Sequence, residues 1–153
     1  MKLVLVLVGR TRDQRWQALQ EDYLSRLEKF TPVEVIAVKE SRQDSASAAR
    51  RRESESLEKK VPPGSTLIAL DERGDELSSR AFADLLKKLQ VRGTRVVTFI
   101  LGGPDGLAED LRERADHVLS LSQMTWSHEA ARVLLLEQLY RAFTIIRGYP
   151  YHK

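Results

Sequence analysis

The stretch Leu3-Val4-Leu5-Val6-Leu7-Val8 constrains this chain more than any other. Six aliphatic residues in a row show no alternation, so the strand they form has no polar face to give to water. Strands of that kind are buried on both sides, as in a parallel sheet sandwiched between helices. Gly9 closes the run. Six residues are too few to cross a membrane, and no small-residue cleavage site follows, so the run reads as core rather than as an anchor or a leader.

The rest of the chain repeats the pattern of strand then helix. Asp13 to Phe30 is expected to be helical, because Trp16, Leu19, Tyr23, Leu27 and Phe30 recur at steps of three and four. A second strand, Val33 to Val38, follows Pro32, and a polar loop leads to a helix over Ala49 to Lys60. That helix carries Arg50-Arg51-Arg52 balanced by Glu53, Glu55 and Glu58, and its few apolar residues predict a solvated face. Pro62-Pro63-Gly64 ends it. Thr66 to Leu70 is the third strand. Ser78 or Ser79 caps a helix with Phe82, Leu85, Leu86 and Leu89 on one face, and Gly93 breaks it. The fourth strand is Arg95 to Leu101. A short helix to about Ala115 precedes the fifth, His117 to Leu121.

Five alternations predict an α/β fold: one domain over residues 1–153, a parallel-type sheet and helices on both faces. Ligands in such sheets sit beyond the carboxyl ends of the strands. Three turns fall there: Leu70 to Gly74, Gly102 to Gly106, and Leu121 to Trp126.

Several chemistries are excluded. The chain has no cysteine, hence no disulfide, thiolate metal site or thiol nucleophile. His117, His128 and His152 are scattered without metal-ligand spacing, so no metal is expected. There is no Gly-x-Ser-x-Gly elbow, no Gly-x-Gly-x-x-Gly fingerprint and no phosphate-binding Gly-x-x-x-x-Gly-Lys loop. A net charge of +3 is compatible with nucleic acid without requiring it.

The last third carries the most information. A helix is expected from Ser127 to Arg147, with Thr125 or Ser127 as its cap. Val133, Leu135, Leu136, Leu139, Tyr140, Ala142, Phe143 and Ile146 cover half its circumference. Leu134 and Ile145 interrupt the opposite half and point to a second contact, such as another subunit. The chain then runs Gly148-Tyr149-Pro150-Tyr151-His152-Lys153, an aromatic tail that reads as tied down rather than frayed.

Three segments together resemble one family: Ile100-Leu101-Gly102-Gly103-Pro104-Asp105-Gly106, Leu119 to His128, and Glu137 to Ala142 with the terminal Tyr149-Pro150-Tyr151-His152-Lys153. They are similar to the ribosomal RNA large-subunit methyltransferase H family, in the SPOUT class. The resemblance spans the whole chain, and the terminal Pro-Tyr-His followed by a basic residue is its most specific mark. It implies methylation of N3 of a pseudouridine in a large-subunit rRNA loop, on the assembled ribosome in the cytoplasm, with S-adenosylmethionine as cofactor. It also implies a C-terminal trefoil knot and a homodimer.

By position, Leu70, Gly102, Leu121, Ser122, Gln123, Met124, Thr125 and Trp126 resemble the family's cofactor contacts. Trp126 departs from the pattern, since a smaller aliphatic residue is commoner there. Adenine needs an apolar slot, which Leu70, Leu121 and Met124 can line. His152, Tyr151 and Arg141 are the catalytic candidates: a histidine whose ordinary pKa is near 6.5, an aromatic ring to stack on the target base, and a cation to steady it as it becomes anionic. Arg10, Arg12, Arg132, Arg147 and Lys153 are the expected RNA-binding patch. Two other readings compete: a non-catalytic ribosome-binding assembly factor, and a flavodoxin-type nucleotide module, which the missing phosphate loop disfavours.

Overall fold

The computed structural model describes residues 1–42 and 45–152. Five strands alternate with five helices: β1 (Lys2–Val8), α1 (Gln14–Leu27), β2 (Val33–Val38), α2 (Ala46–Glu58), β3 (Thr66–Glu76), α3 (Ser79–Val91), β4 (Val96–Leu101), α4 (Glu109–Glu113), β5 (His117–Ser120) and α5 (His128–Arg147). The strands form one sheet in the order β2-β1-β4-β3-β5, and every neighbouring pair is parallel. β1 lies between β2 and β4, which accounts for its unbroken aliphatic sequence. Leu3, Leu5 and Leu7 join the cluster built on Leu27, Phe82, Leu86, Leu139 and Phe143 from α1, α3 and α5. Val4, Val6 and Val8 join the opposite cluster with Leu57 of α2 and Leu111 of α4. Helices therefore cover both faces.

The helix starts follow local capping chemistry. Asp13, Ser45, Ser78 and Ser127 each accept a hydrogen bond from a backbone N–H of the first turn. Ser127, rather than Thr125, therefore caps α5.

Three expectations are corrected. α2 is not a solvated helix: Ala49, Glu53, Ser54 and Leu57 are buried. Two of these are polar, so apolar periodicity could not reveal the buried face. β3 does not stop at Leu70. It continues to Glu76, with Leu119 of β5 opposite both Leu70 and Asp75 and residues 71–74 bulging between. A Cβ on Gly74 would lie 2.6 Å from the Leu119 backbone, so only glycine fits this crossing. Ile145, expected on the outer half of α5, packs against the main cluster, so its contact is within the chain; Leu134 stays half-exposed.

Candidate active site

The carboxyl ends of β3, β4 and β5 open together at one edge of the sheet. Between them lies a cleft of about 350 Å³, within the range of small-ligand pockets. Seven of the eight expected cofactor residues line it: Leu70, Gly102, Leu121, Ser122, Met124, Thr125 and Trp126. Gln123 does not line it; it is exposed.

The walls are shaped by the backbone. A Cβ on Gly102 would sit 2.5 Å from the Gly106 carbonyl oxygen, so the turn closes on itself only because the residue is glycine. The Gly106 N–H donates to the Gly103 carbonyl at 3.0 Å and fixes that closure. In the facing loop, the Ser122 N–H donates to Ser120 Oγ at 3.2 Å, Ser120 Oγ–H donates to the Ser122 carbonyl at 2.9 Å, and the Met124 N–H donates to Ser122 Oγ at 3.0 Å. The Ser122 hydroxyl thus holds its own loop. Met124 (70% exposed) and Trp126 stand at the cleft's mouth as large apolar groups in water.

The cleft has a charged wall that the sequence reading missed: Arg50, Asp71, Glu72, Arg73 and Asp105. Arg73 donates to both carboxylate oxygens of Asp71, at 2.9 and 3.0 Å, and Arg112 approaches at 3.7 Å. Bonding to Arg73 holds the Asp71 carboxyl below the ordinary range, against the opposing effect of its burial. The strand-end turns signalled the location of this wall. No sequence signal separated Arg50 from its two neighbours.

The expected catalytic residues also come together, but elsewhere. Gly148 ends α5 in the left-handed conformation, with φ of 71°. The Tyr149 N–H donates to the Thr144 carbonyl at 2.9 Å, and the tail doubles back along the helix. Arg141 pairs with Glu137 at 2.6 Å and covers the Tyr151 ring, its guanidinium carbon 4.8 Å from the ring centre. The Tyr151 hydroxyl donates to Glu137 Oε1 at 3.1 Å, and its ring meets Tyr140 edge-on at 4.7 Å. An Arg141 terminal nitrogen lies 3.5 Å from His152 Nδ1. Burial, the largest influence, together with the nearby Tyr23 hydroxyl and the Glu137 charge, pushes the Tyr151 phenol above its ordinary value, so it stays neutral. With Tyr140 at one side and Arg141 over it, the ring is not free to stack on a base as it stands.

Cleft and tail are separated along α5. His128 and Ala131 line the cleft, whereas the tail packs on Glu137 to Arg141. The ten residues from Ala131 to Arg141 span about 15 Å of helix.

The expected RNA patch does not converge. Arg10 and Arg12 lie at the carboxyl end of β1 in a groove shared with Lys39 and Arg42, and the Arg12 N–H donates to Glu129 at the start of α5. Arg147 is at the other end of that helix, about 30 Å away. Arg132 is corrected outright: it is 2% exposed, and its guanidinium bonds the Val8 carbonyl, the Gly9 carbonyl at 3.1 Å and Thr11 Oγ1 at 3.0 Å. It ties α5 to the end of β1 and reaches no phosphate. Lys153 lies outside the described residues.

A parallel α/β domain with a cleft over the carboxyl ends of adjacent strands, walled by glycine turns, is of the class that binds its ligand beyond the strand ends. The model of a family described as predicted SPOUT methyltransferase matches residues 1–152. The chain is 42% identical to ribosomal RNA large subunit methyltransferase H of Geobacter metallireducens over 152 residues, 99% of each chain. It is 44% identical to the protein of the same name from an Anaeromyxobacter species, over the full length of both. Among solved structures, a probable methyltransferase from Bordetella pertussis superposes with a TM-score of 0.58 at 16% identity, covering 92% of this chain and 95% of that one. A probable methylase family protein from Haemophilus influenzae gives 0.54 at 14%, covering 99% and 70%. These two likenesses concern the fold. The chain belongs to the ribosomal RNA large subunit methyltransferase H family of SPOUT methyltransferases.

Proposed function

We propose that this protein methylates N3 of a pseudouridine in 23S large-subunit rRNA, on the assembled ribosome in the cytoplasm, using S-adenosylmethionine. The observation that carries the reading is the cleft, which gathers seven of the eight residues the family resemblance assigned to the cofactor. Leu70, Leu121 and Met124 offer apolar surface for a purine ring, and the Gly102 turn lets backbone approach it closely. Arg50 and Arg73 suit a carboxylate, and Glu72 and Asp105 an ammonium, as the amino-acid end of the cofactor requires.

When bound, S-adenosylmethionine supplies a methyl group already activated on a sulfonium. The chain's own residues orient the target base and take its N3 proton. His152 would take the N3 proton, and the methyl would then pass to N3 as its bond to sulfur breaks and the sulfonium leaves as a neutral thioether. Arg141, held charged by Glu137, steadies the base as it becomes anionic. The neutral Tyr151 phenol donates hydrogen bonds and does not act as the base.

Cleft and tail lie too far apart in one chain to serve one base, so the working unit is a homodimer in which one subunit's tail completes its partner's cleft. The exposed Met124 and Trp126 beside the cleft are apolar surface for that contact. The reading includes a C-terminal trefoil knot, as the family resemblance implies. A ribosome-binding factor without catalysis would leave the cleft unused.

The test is transfer of labelled methyl from S-adenosylmethionine to intact ribosomes, free large subunits and naked rRNA lacking the modification. Label mapped to one pseudouridine is the expected result. A folded protein that labels none of the three would overturn the reading.

A further inference from the structure

A second groove, of about 370 Å³, opens at the carboxyl ends of α1 and α5, away from the cleft. Its lining is Arg26, Lys29, Phe30, Tyr140, Arg147 and Tyr149. Three are aromatic, three are cations, and none is acidic. Phe30 forms the floor. It meets Tyr149 edge-on at 5.6 Å and Tyr140 edge-on at 5.9 Å. Tyr149 stands 57% exposed beside it, held by its backbone bond to Thr144. Arg26 lies 5.9 Å from the Tyr140 ring centre and pairs with Asp22 at 2.7 Å. Lys29 and Arg147 are exposed and have no ion pair among the described residues.

Cations at helix carboxyl ends are favoured by the helix dipole alone, so Lys29 and Arg147 by themselves would mean little. The dipole gives no reason for an exposed tyrosine ring between them. Aromatic faces flanked by cations bind single-stranded nucleic acid, the rings stacking on bases while the cations meet phosphates. The charge also argues against a second copy as occupant. A two-fold contact through this groove would set three cations against three more, since such an interface brings the same patch from both subunits together.

We propose that this groove binds an unpaired nucleotide of the RNA substrate, flanking the target base, with Tyr149 as the stacking surface and Lys29 and Arg147 on the phosphates. Tyr149 stands two residues before Tyr151, so a strand seated here passes the tail that receives the target. Tyr149, rather than the enclosed Tyr151, offers a free ring. The inference rests on the rRNA methyltransferase reading for its substrate, but the groove itself is testable without catalysis.

Two variants are made, Tyr149→Ala and the pair Lys29→Glu with Arg147→Glu. Tyr149→Phe serves as the conservative control. Each is titrated with a fluorescently labelled single-stranded RNA of about ten nucleotides, and then assayed for methyl transfer, for S-adenosylmethionine affinity and for mass in solution. Loss of one base stack should weaken oligonucleotide binding and raise KM for ribosomes by about five- to a hundredfold, with kcat and cofactor affinity unchanged. Tyr149→Phe should retain both. The charge-reversal pair should also flatten the salt dependence of binding. Unchanged oligonucleotide affinity and KM in both variants would overturn the proposal. So would a variant that becomes monomeric, which would assign the groove to self-association. If the wild-type protein binds the oligonucleotide through Tyr149 but methylates no ribosomal substrate, the enzymatic reading fails while the groove stands.

Discussion

Replacing Gly102 by alanine tests whether the shape of the cleft comes from the backbone. The added Cβ would lie 2.5 Å from the Gly106 carbonyl oxygen and 2.6 Å from its carbon, where ordinary contacts begin at 3.4 Å. The turn must therefore open by about 0.9 Å, and the atoms it pushes are backbone, which cannot rotate aside. Overpacking of this kind costs about 1–3 kcal/mol. Breaking the Gly106 to Gly103 hydrogen bond adds about 0.5–1.5 kcal/mol. The turn can relax outward into the cleft, so most of the strain should appear as lost cofactor affinity rather than lost stability. A tenfold to hundredfold rise in the Kd for S-adenosylmethionine is expected, corresponding to about 1.4–2.7 kcal/mol. Gly64→Ala is the control. Its Cβ meets nothing within 4 Å, but φ is +73°, so it should cost about 1–2 kcal/mol of stability with no change in affinity. Calorimetric titration and denaturant unfolding of both variants separate the two effects. If Gly102→Ala binds the cofactor within twofold of wild type, the cleft does not depend on this closure and the reasoning fails.

Glu53 is 3% exposed with Oε2 unpartnered, and burial raises its carboxyl above the ordinary value, reinforced by Glu40 and Asp105 and opposed by the Ser41 N–H. The folded state therefore binds the extra proton, and stability falls as pH rises from the ordinary carboxyl range through the raised value. Glu53→Gln should melt higher than wild type at neutral pH, and the advantage should vanish in acid; a constant difference across pH would contradict this. Phe143→Ala removes a 1%-exposed ring from the main cluster and should cost about 3–5 kcal/mol in urea unfolding. At an S-adenosylmethionine concentration far below the raised Kd of Gly102→Ala, mixing Gly102→Ala subunits with inactive His152→Ala subunits should restore about a quarter of wild-type activity, since half of random dimers carry one intact composite site. No restoration would place both halves in the same chain.

Much of the fold was legible because burial leaves a periodic mark. Leu3 to Val8 announced a strand covered on both faces, and α5 announced its apolar stripe. α2 escaped because it buries Glu53 and Ser54 against the neighbouring loops, a polar contact without periodicity: Ser54 Oγ accepts the Ala108 N–H at 2.8 Å and Glu53 accepts from Ser41. The length of β3 escaped because a bulge interrupts it, and residues 71–74 have the composition of a turn. The cleft was located by the rule of strand ends and its residues by resemblance, but its charged wall was not found.

Arginines mark the boundary between the two kinds of information. The sequence reading placed Arg132 and Arg147 in one RNA-binding patch with Arg10, Arg12 and Lys153, and it could not tell that Arg132 lies under the end of β1 and Arg147 in a groove about 22 Å along the helix axis. The sequence by itself determined the elements, their alternation, the helix caps and the aromatic character of the tail, since each depends on residues near one another in the chain. Only the tertiary structure decided that Arg132 is buried, that Tyr151 is enclosed while Tyr149 is free, and that cleft and tail stand apart. Those outcomes depend on which distant backbone groups a side chain meets, and local sequence carries no record of that.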